Sequence, residues 1–290
     1  GPATEPALVR AVTDELDADL GALGRSIKAR QRWEDLVLPE ETLDRLHELV
    51  QRIRRRRQVL EDWGFGRKLG VESGFVALFS GEPGTGKTMV ATLIAKELGL
   101  ELIRVDLSQV VSKWIGETEK NLGRVFDAAE ASQAVLLFDE ADSLLGKRTE
   151  VKTSVDRYAN LEVNYLLQRL DVFTGIALLT TNKGDSLDPA LDRRISFKLR
   201  FPMPEPHIRA ELWRRMLPRE APVSDDIDFQ TLAAHPLAGG LIRNAVIRGA
   251  FLASVREEPI AMGHLEEAIQ LELEDAGRLN GTNHAGVQYA

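Results

Sequence analysis

The run Gly81-Glu82-Pro83-Gly84-Thr85-Gly86-Lys87-Thr88 fits the pattern G-x-x-x-x-G-K-[ST]. Glycines at these spacings let consecutive main-chain N–H groups curl round an anion, in conformations a Cβ would forbid. Lys87 adds a cation that can meet the β- and γ-phosphates of a nucleotide, and the Thr88 hydroxyl is an oxygen ligand suited to Mg²⁺. A helix opening at Lys87 and running through Met89 would point the positive end of its dipole at the same charge. This spacing is therefore a phosphate cradle, and the cofactors it calls for are ATP and Mg²⁺.

A second group complements it. Val135-Leu136-Leu137-Phe138-Asp139-Glu140 is four apolar residues ending in two acids. A buried parallel strand would carry both carboxylates to the carboxyl edge of a sheet, where ligands of α/β folds sit. There Asp139 can hold Mg²⁺, directly or through water, and Glu140 can polarise an attacking water. Ile176-Ala177-Leu178-Leu179-Thr180-Thr181-Asn182 repeats the design, with Asn182 placed to hold the lytic water or the γ-phosphate. Taken alone, Asn182 could equally start a turn into Lys183-Gly184-Asp185.

The elements needed to position these groups are legible around them. Short apolar runs at 75–79, 102–105, 135–138 and 176–180 alternate with helical patterns at 87–98, 117–131 and 157–171. That alternation predicts an α/β fold of parallel βαβ units, a sheet with helices on both faces. After Pro202-Met203-Pro204-Glu205-Pro206 the strands stop, and 207–217, 228–234, 240–256 and 262–275 read as helices. The proline cluster predicts a domain boundary. The expected organisation is a helical segment over 1–32, an α/β domain over 33–203, a helical lid over 204–277 and a disordered tail over 278–290. In the first segment Leu8, Val12, Leu16, Leu20 and Leu23 make one helical stripe. Gly1-Pro2 reads as the remnant of a cleaved tag. Trp33–Pro39 reads as an extended linker, followed by a helix over 40–62 that carries Arg54–Arg57.

The 290 residues are 43% hydrophobic and 28% charged, with a formal net charge of −8 and no cysteine. The acidic balance argues against a nucleic-acid partner, which rewards a clustered basic surface. Arg54–Arg57 is the one feature in its favour, and a solvated helix face explains that run as well. Absence of cysteine fits a reducing, cytoplasmic setting. No apolar run reaches the roughly 18 residues of a membrane span, so membrane insertion is not expected.

Together the phosphate loop, the acidic strand end, the Asn-tipped strand and Asp188-Pro189-Ala190-Leu191-Asp192-Arg193-Arg194 resemble an AAA ATPase module over roughly 33–277. The likeness is to protein-remodelling members such as ESCRT-disassembling and microtubule-severing ATPases. Gly146–Lys152 and Asp156–Asn160 also resemble bacterial AAA proteins that accompany contractile injection systems.

The resemblance implies hydrolysis of ATP in a homo-oligomeric ring, usually a hexamer, with a protein substrate threaded through its pore. Arg193 and Arg194 resemble arginine fingers that reach a neighbour's site, although Ile195-Ser196 replace the aromatic and acid many relatives carry there. Lys113-Trp114-Ile115-Gly116 resembles the pore loop; Trp114 could instead anchor the following helix. A second pore loop is implied near Lys147–Lys152. Val37 and Leu38 match the hinge that covers the adenine, and Gly239 and Gly240 the small residues near adenine and ribose. Leu241 stands where some relatives carry a lid arginine, leaving Arg243 as the nearest substitute. A nucleotide-dependent assembly switch, without threading, and a nucleic-acid motor are the alternative functions.

Overall fold

Strand β2 (Phe75–Gly81) is apolar from Phe75 to Phe79 because it lies inside a sheet, with parallel neighbours on both sides. Its partners are β5 (Ile176–Thr181) and β6 (Phe197–Phe201), and β5 also pairs in parallel with β4 (Val135–Phe138). Beyond β4 come β3 (Leu102–Val105), parallel, and β1 (Gly24–Ile27), antiparallel to β3. The order of the six strands is β1-β3-β4-β5-β2-β6. The computed structural model describes residues 20–70, 74–110, 117–142, 154–183 and 188–282.

The chain divides into two compact units. The first holds the sheet and comprises residues up to 33, 40–81 and 87–201; the second comprises 34–39, 82–86 and 202 onward. Among the described residues the first unit has helices α1 (Glu40–Arg57), α2 (Phe65–Leu69), α3 (Lys87–Leu98) and α4 (Leu107–Val110). It continues with α5 (Glu117–Ser132), α6 (Ser154–Val172) and α7 (Pro189–Asp192). Its core is continuous from Ile103 and Leu136 on the strands to Val125 and Phe126 on α5. Phe126 meets Phe173 edge-on at 5.1 Å between ring centres and stands 5.8 Å from Phe138. Such pairs contribute roughly 1 kcal/mol beyond the area they bury. They fix α5 against β4, the strand that ends in the acids.

The second unit is helical: α8 (Pro206–Met216), α9 (Phe229–Ala233), α10 (Gly239–Val255) and α11 (Met262–Thr282). Trp213, fully buried, packs with Leu232, Ile242, Leu265 and Ile269. Buried Arg209 donates to the Ala233 carbonyl (2.7 Å) and the Pro204 carbonyl (2.6 Å), tying the proline segment to α9. Gly249 allows α10 and α11 to approach, because a Cβ there would stand 2.8 Å from Leu265 Cδ2.

Three expectations are corrected, and one strand was not foreseen. The N-terminal helical stripe does not continue to residue 32: Gly21 turns the chain at φ 54°, and 24–27 become a strand on the edge of β3. Leu20 and Leu23 are buried in the core of the first unit instead. Trp33–Asp35 form a 3₁₀ turn within the expected extended linker, and α1 passes at Gln58–Asp62 into a π-helical turn. Strand β6 was not expected as an element. Its alternation, with Phe197, Leu199 and Phe201 buried and Lys198 and Arg200 exposed, is the period-2 pattern of a strand with one covered face. Finally α11 reaches Thr282, so 278–282 are helical where a disordered tail was expected. Residues 1–19 and 283–290 lie outside the described residues.

The arginine run is held by its own chain. Arg54 donates to the Glu97 carboxylate (2.7 Å) and carbonyl (2.8 Å), and Arg57 pairs with Glu61. Arg56 reaches the Gly175 carbonyl at 3.3 Å. These partners answer the run structurally, as part of the first unit's surface.

Candidate nucleotide site

Within the first unit, residues far apart in sequence converge at the carboxyl edge of β2, β4 and β5. Lys87, buried on the first turn of α3, donates from Nζ to the Gly81 carbonyl (2.6 Å) and to Asn182 Oδ1 (2.9 Å). Thr88 Oγ1 donates to Asp139 Oδ1 at 2.9 Å. The loop's lysine is thereby joined to the Asn-tipped strand, and its hydroxyl to the acidic strand end. Gly84 and Gly86 have φ of 77° and 99°, the left-handed backbone that the curl requires and that L side chains avoid.

Thr180, the residue before the last of β5, is fully buried and bridges both acids. Its hydroxyl donates to Asp139 Oδ1 (2.7 Å) and accepts from the Glu140 N–H (2.8 Å). Its carbonyl accepts from the Ala141 N–H at 2.9 Å. These bonds hold Glu140 at φ 52°, a left-handed conformation that costs a non-glycine residue about 1–2 kcal/mol. Asp142 serves Asn182 in the same way: one carboxylate oxygen accepts from Thr181 Oγ1 (2.8 Å), the Asn182 N–H (3.0 Å) and the Lys183 N–H (3.2 Å).

Asp139 also has a third partner. Arg104, on β3, places Nη2 at 2.9 Å from Asp139 Oδ2, and the Asp139 side chain is only 5% exposed. Arg104, Asp139 and Glu140 line a cleft of about 710 Å³ together with Arg25 and Asp106.

The oxygens gathered here test whether Mg²⁺ fits. A hydroxyl and a carboxylate oxygen within 2.9 Å form a hard, oxygen-only donor pair. Mg²⁺ is usually held by one or two such groups, with waters and phosphate oxygens completing its shell. The residues fit the ion.

In the second unit, loop residues 82–86 and the start of α10 are in contact. The Gly240 N–H donates to the Gly84 carbonyl at 2.8 Å, and a Cβ on Gly240 would lie 3.0 Å from Gly84 Cα. Thr85 Oγ1 donates to the Glu82 carbonyl (2.8 Å), closing the loop on itself, while Glu82 and Pro83 are exposed. Gly239 and Gly240 thus bring backbone against backbone. Val37 and Leu38 are half-buried, and Met89 is half-buried on α3 of the first unit.

The two arginines differ. Arg194 is locked within the first unit: its guanidinium pairs with the Asp171 carboxylate and donates from Nη1 to the Ala190 carbonyl at 2.5 Å. Arg193 is exposed and, among the described residues, engages the Pro189 carbonyl through Nε at 3.3 Å. Asp188 caps α7 through the Ala190 N–H (2.7 Å), which sets the direction of the segment bearing both. Lys113, Trp114, Ile115 and Gly116 lie outside the described residues, as do Lys147–Lys152.

Thr180, Asp142 and Arg104 were missed from sequence. Thr180 had a signal, a hydroxyl directly after the apolar run Ile176–Leu179, and so did Arg104, a charge inside Leu102-Ile103-Arg104-Val105. Asp142 stands two residues beyond Glu140, where spacing alone gives no indication of its acceptors.

Residues 77–203 match the family model described as "ATPase family associated with various cellular activities (AAA)". Protein CdcH of Halobacterium salinarum is 31% identical over 271 residues, covering 88% of this chain and 35% of that protein. Proteasome-activating nucleotidase 1 of Haloferax volcanii is 32% identical over 234 residues, 78% of this chain and 56% of that protein. The 26S proteasome regulatory subunit 6B homolog of Aspergillus niger is 28% identical, with 87% of this chain and 58% of that protein covered. This chain therefore spans between about a third and three fifths of the length of these relatives. Among the described residues no helix is long and apolar enough to cross a membrane.

Proposed function

We propose, from the premise that residues 77–203 form a domain of the AAA ATPase family, that this chain hydrolyses ATP with Mg²⁺ to remodel a protein substrate. The observation that carries the reading is the pair of side-chain bonds from two consecutive residues at the start of α3. Lys87 reaches Asn182 and Thr88 reaches Asp139, which supports reading these four residues as one phosphate-binding and hydrolytic constellation.

Bound Mg²⁺ would supply charge neutralisation at the phosphates. The loop 81–88 would receive the phosphates, with Lys87 exchanging its present acceptors for phosphate oxygens. Thr88 and Asp139 would hold the ion, and Glu140 would accept a proton from the attacking water, its position set by Thr180. Asn182, fixed by Asp142, would orient that water or the γ-phosphate. Gly239 and Gly240 would bound the loop on the α10 side. Val37 and Leu38 would cover the adenine, with Met89 beside the loop.

We assign the finger role to Arg193, which is exposed, and an anchoring role to Arg194, which is tied to Asp171. A finger implies that subunits complete one another's sites, which supports a homo-oligomeric ring, usually a hexamer in this family. Relatives named as a proteasome-activating nucleotidase and a proteasome regulatory subunit support action on proteins. The family resemblance of Lys113-Trp114-Ile115-Gly116 supports a pore loop that grips the polypeptide. The domain plan is an α/β ATPase unit ending at 201 and a helical unit from 202 through α11, in place of the expected bounds at 203 and 277.

The deciding experiment measures phosphate release from ATP by the purified chain with and without Mg²⁺, alongside Glu140→Gln. Mg²⁺-dependent release that Glu140→Gln abolishes while retaining ATP binding supports the assignment. Absence of both binding and release in the folded protein overturns it.

A further inference from the structure

Arg104 is a charge in a place that favours an apolar side chain. It sits on β3 between a strand on either side, in register with Leu137 on β4 and with Arg25 on β1. Its neighbours Leu102, Ile103 and Val105 are buried. A guanidinium brings a delocalised positive charge to this position. Its Nη2 lies 2.9 Å from Asp139 Oδ2, and its side chain is 38% exposed toward the cleft that also holds Arg25, Asp106 and Glu140.

The Asp139 carboxylate is thus divided. Oδ1 accepts from the hydroxyls of Thr88 and Thr180, and Oδ2 faces the guanidinium. We propose that Arg104 is a positioning residue that sets how tightly Thr88 and Asp139 hold Mg²⁺, lowering the affinity through its fixed charge. The inference rests on the reading of 81–88 and Asp139 as a Mg²⁺-nucleotide site.

Two effects of Arg104 oppose one another. It helps to orient Asp139, which favours the ion, and it puts a like charge on the far side of the same carboxylate, which disfavours it. The orientation is secured twice over by the two threonine hydroxyls on Oδ1, so it survives loss of the arginine. The charge is a separate matter: the two hydroxyls are neutral and cannot replace it, and Arg25 of the same cleft stands on the neighbouring strand. A monocation and a dication sharing one carboxylate, with the guanidinium partly in water, repel enough to change the affinity about tenfold. The charge effect therefore decides the sign, and a buried carboxylate deprived of its cation attracts a metal more strongly. The consequence for turnover is that the site releases Mg²⁺-nucleotide more readily than an uncompensated Asp139 would.

The test titrates the full chain with a fluorescent ADP analogue over a series of MgCl₂ concentrations, for the parent protein, Arg104→Met and Arg104→Lys. Arg104→Met, which keeps the stem and removes the charge, should lower the Mg²⁺ concentration needed for half-maximal tightening about tenfold. Arg104→Lys, which keeps the charge, should stay near the parent value. A role in packing alone would lower the melting temperature of Arg104→Met and leave the Mg²⁺ midpoint where it was, and that result overturns the proposal. A midpoint moved to higher Mg²⁺ overturns it too, because orientation would then outweigh charge. Failure of the folded parent protein to bind the analogue at all would remove the nucleotide reading, and this inference with it. Binding with an unmoved midpoint removes the role of Arg104 alone.

Discussion

The Thr88 hydroxyl donates to Asp139 Oδ1 at 2.9 Å, across a separation of 51 residues. The first turn of α3 and the end of β4 are thereby joined at the atoms that would share a metal. Thr88→Ala should reduce Mg²⁺-dependent tightening of nucleotide binding about tenfold, while binding measured with excess chelator changes little. Titration of a fluorescent nucleotide with and without Mg²⁺ checks both halves. Equal loss in the two conditions would place Thr88 outside the metal's reach.

Lys87 and Asn182 should separate binding from turnover. Lys87→Ala removes the cation proposed to meet the phosphates and should weaken ATP binding at least about tenfold. Asn182→Ala keeps the cradle and loses an orienting group, so the Kd should hold while kcat falls about 10²-fold. The two variants compared by equilibrium binding and by steady-state turnover give the answer. A parallel fall in both quantities for Asn182→Ala would mean it serves the ground state.

Glu140→Gln should bind ATP as the parent does and lower kcat by about 10²–10⁴. Gln has nearly the same shape, so the Thr180 bond to the residue 140 N–H and the backbone conformation survive the change. A single-turnover experiment with labelled ATP would show intact ATP on the protein long after mixing. Turnover at the parent rate would transfer the base to another group.

Thr180→Val should test the buried hinge behind both acids. The substitution is nearly isosteric but leaves the Glu140 N–H and one Asp139 lone pair without their hydroxyl. Loss of such buried partners costs about 1–3 kcal/mol, measurable as a lower midpoint in denaturant with an unchanged slope. Turnover should fall with it, because the left-handed Glu140 conformation loses a restraint. Full stability would mean that water takes the hydroxyl's place.

Arg193 and Arg194 should fail in different assays. Arg194→Ala breaks a partly exposed pair with Asp171 and a bond to Ala190, so it should cost about 1 kcal/mol in stability. Arg193→Ala touches one carbonyl and should leave stability unchanged. Its effect should appear in turnover per subunit, which should rise with protein concentration in the parent and stay low by about 10³-fold or more in the variant. Concentration-independent turnover in a monomeric parent would remove the finger role.

Local chemistry wrote much of this protein in its sequence. The glycines of 81–88 are unavoidable because φ of 77° and 99° excludes most side chains, and such constraints show as residue types at fixed spacing. Strands β2, β4 and β5 were legible because burial on both faces demands unbroken apolar runs, and the ends of those runs mark the sheet's carboxyl edge. Edge elements were harder. Gly24–Ile27 has no apolar run, since an edge strand is half solvated and its pairing with β3 comes from a partner about 80 residues away. What only the tertiary structure decided is which polar groups meet. Thr180 beneath Asp139 and Glu140, Asp142 beneath Asn182, and Arg104 against Asp139 depend on how neighbouring strands are aligned. Arg193 and Arg194 read alike in the chain, and Asp171, 23 residues earlier, sets them apart. A hydrogen bond or ion pair acts over a few ångströms of space without regard to separation along the chain. Its donors and acceptors are therefore written in the sequence, while their pairing is written in the packing of the sheet.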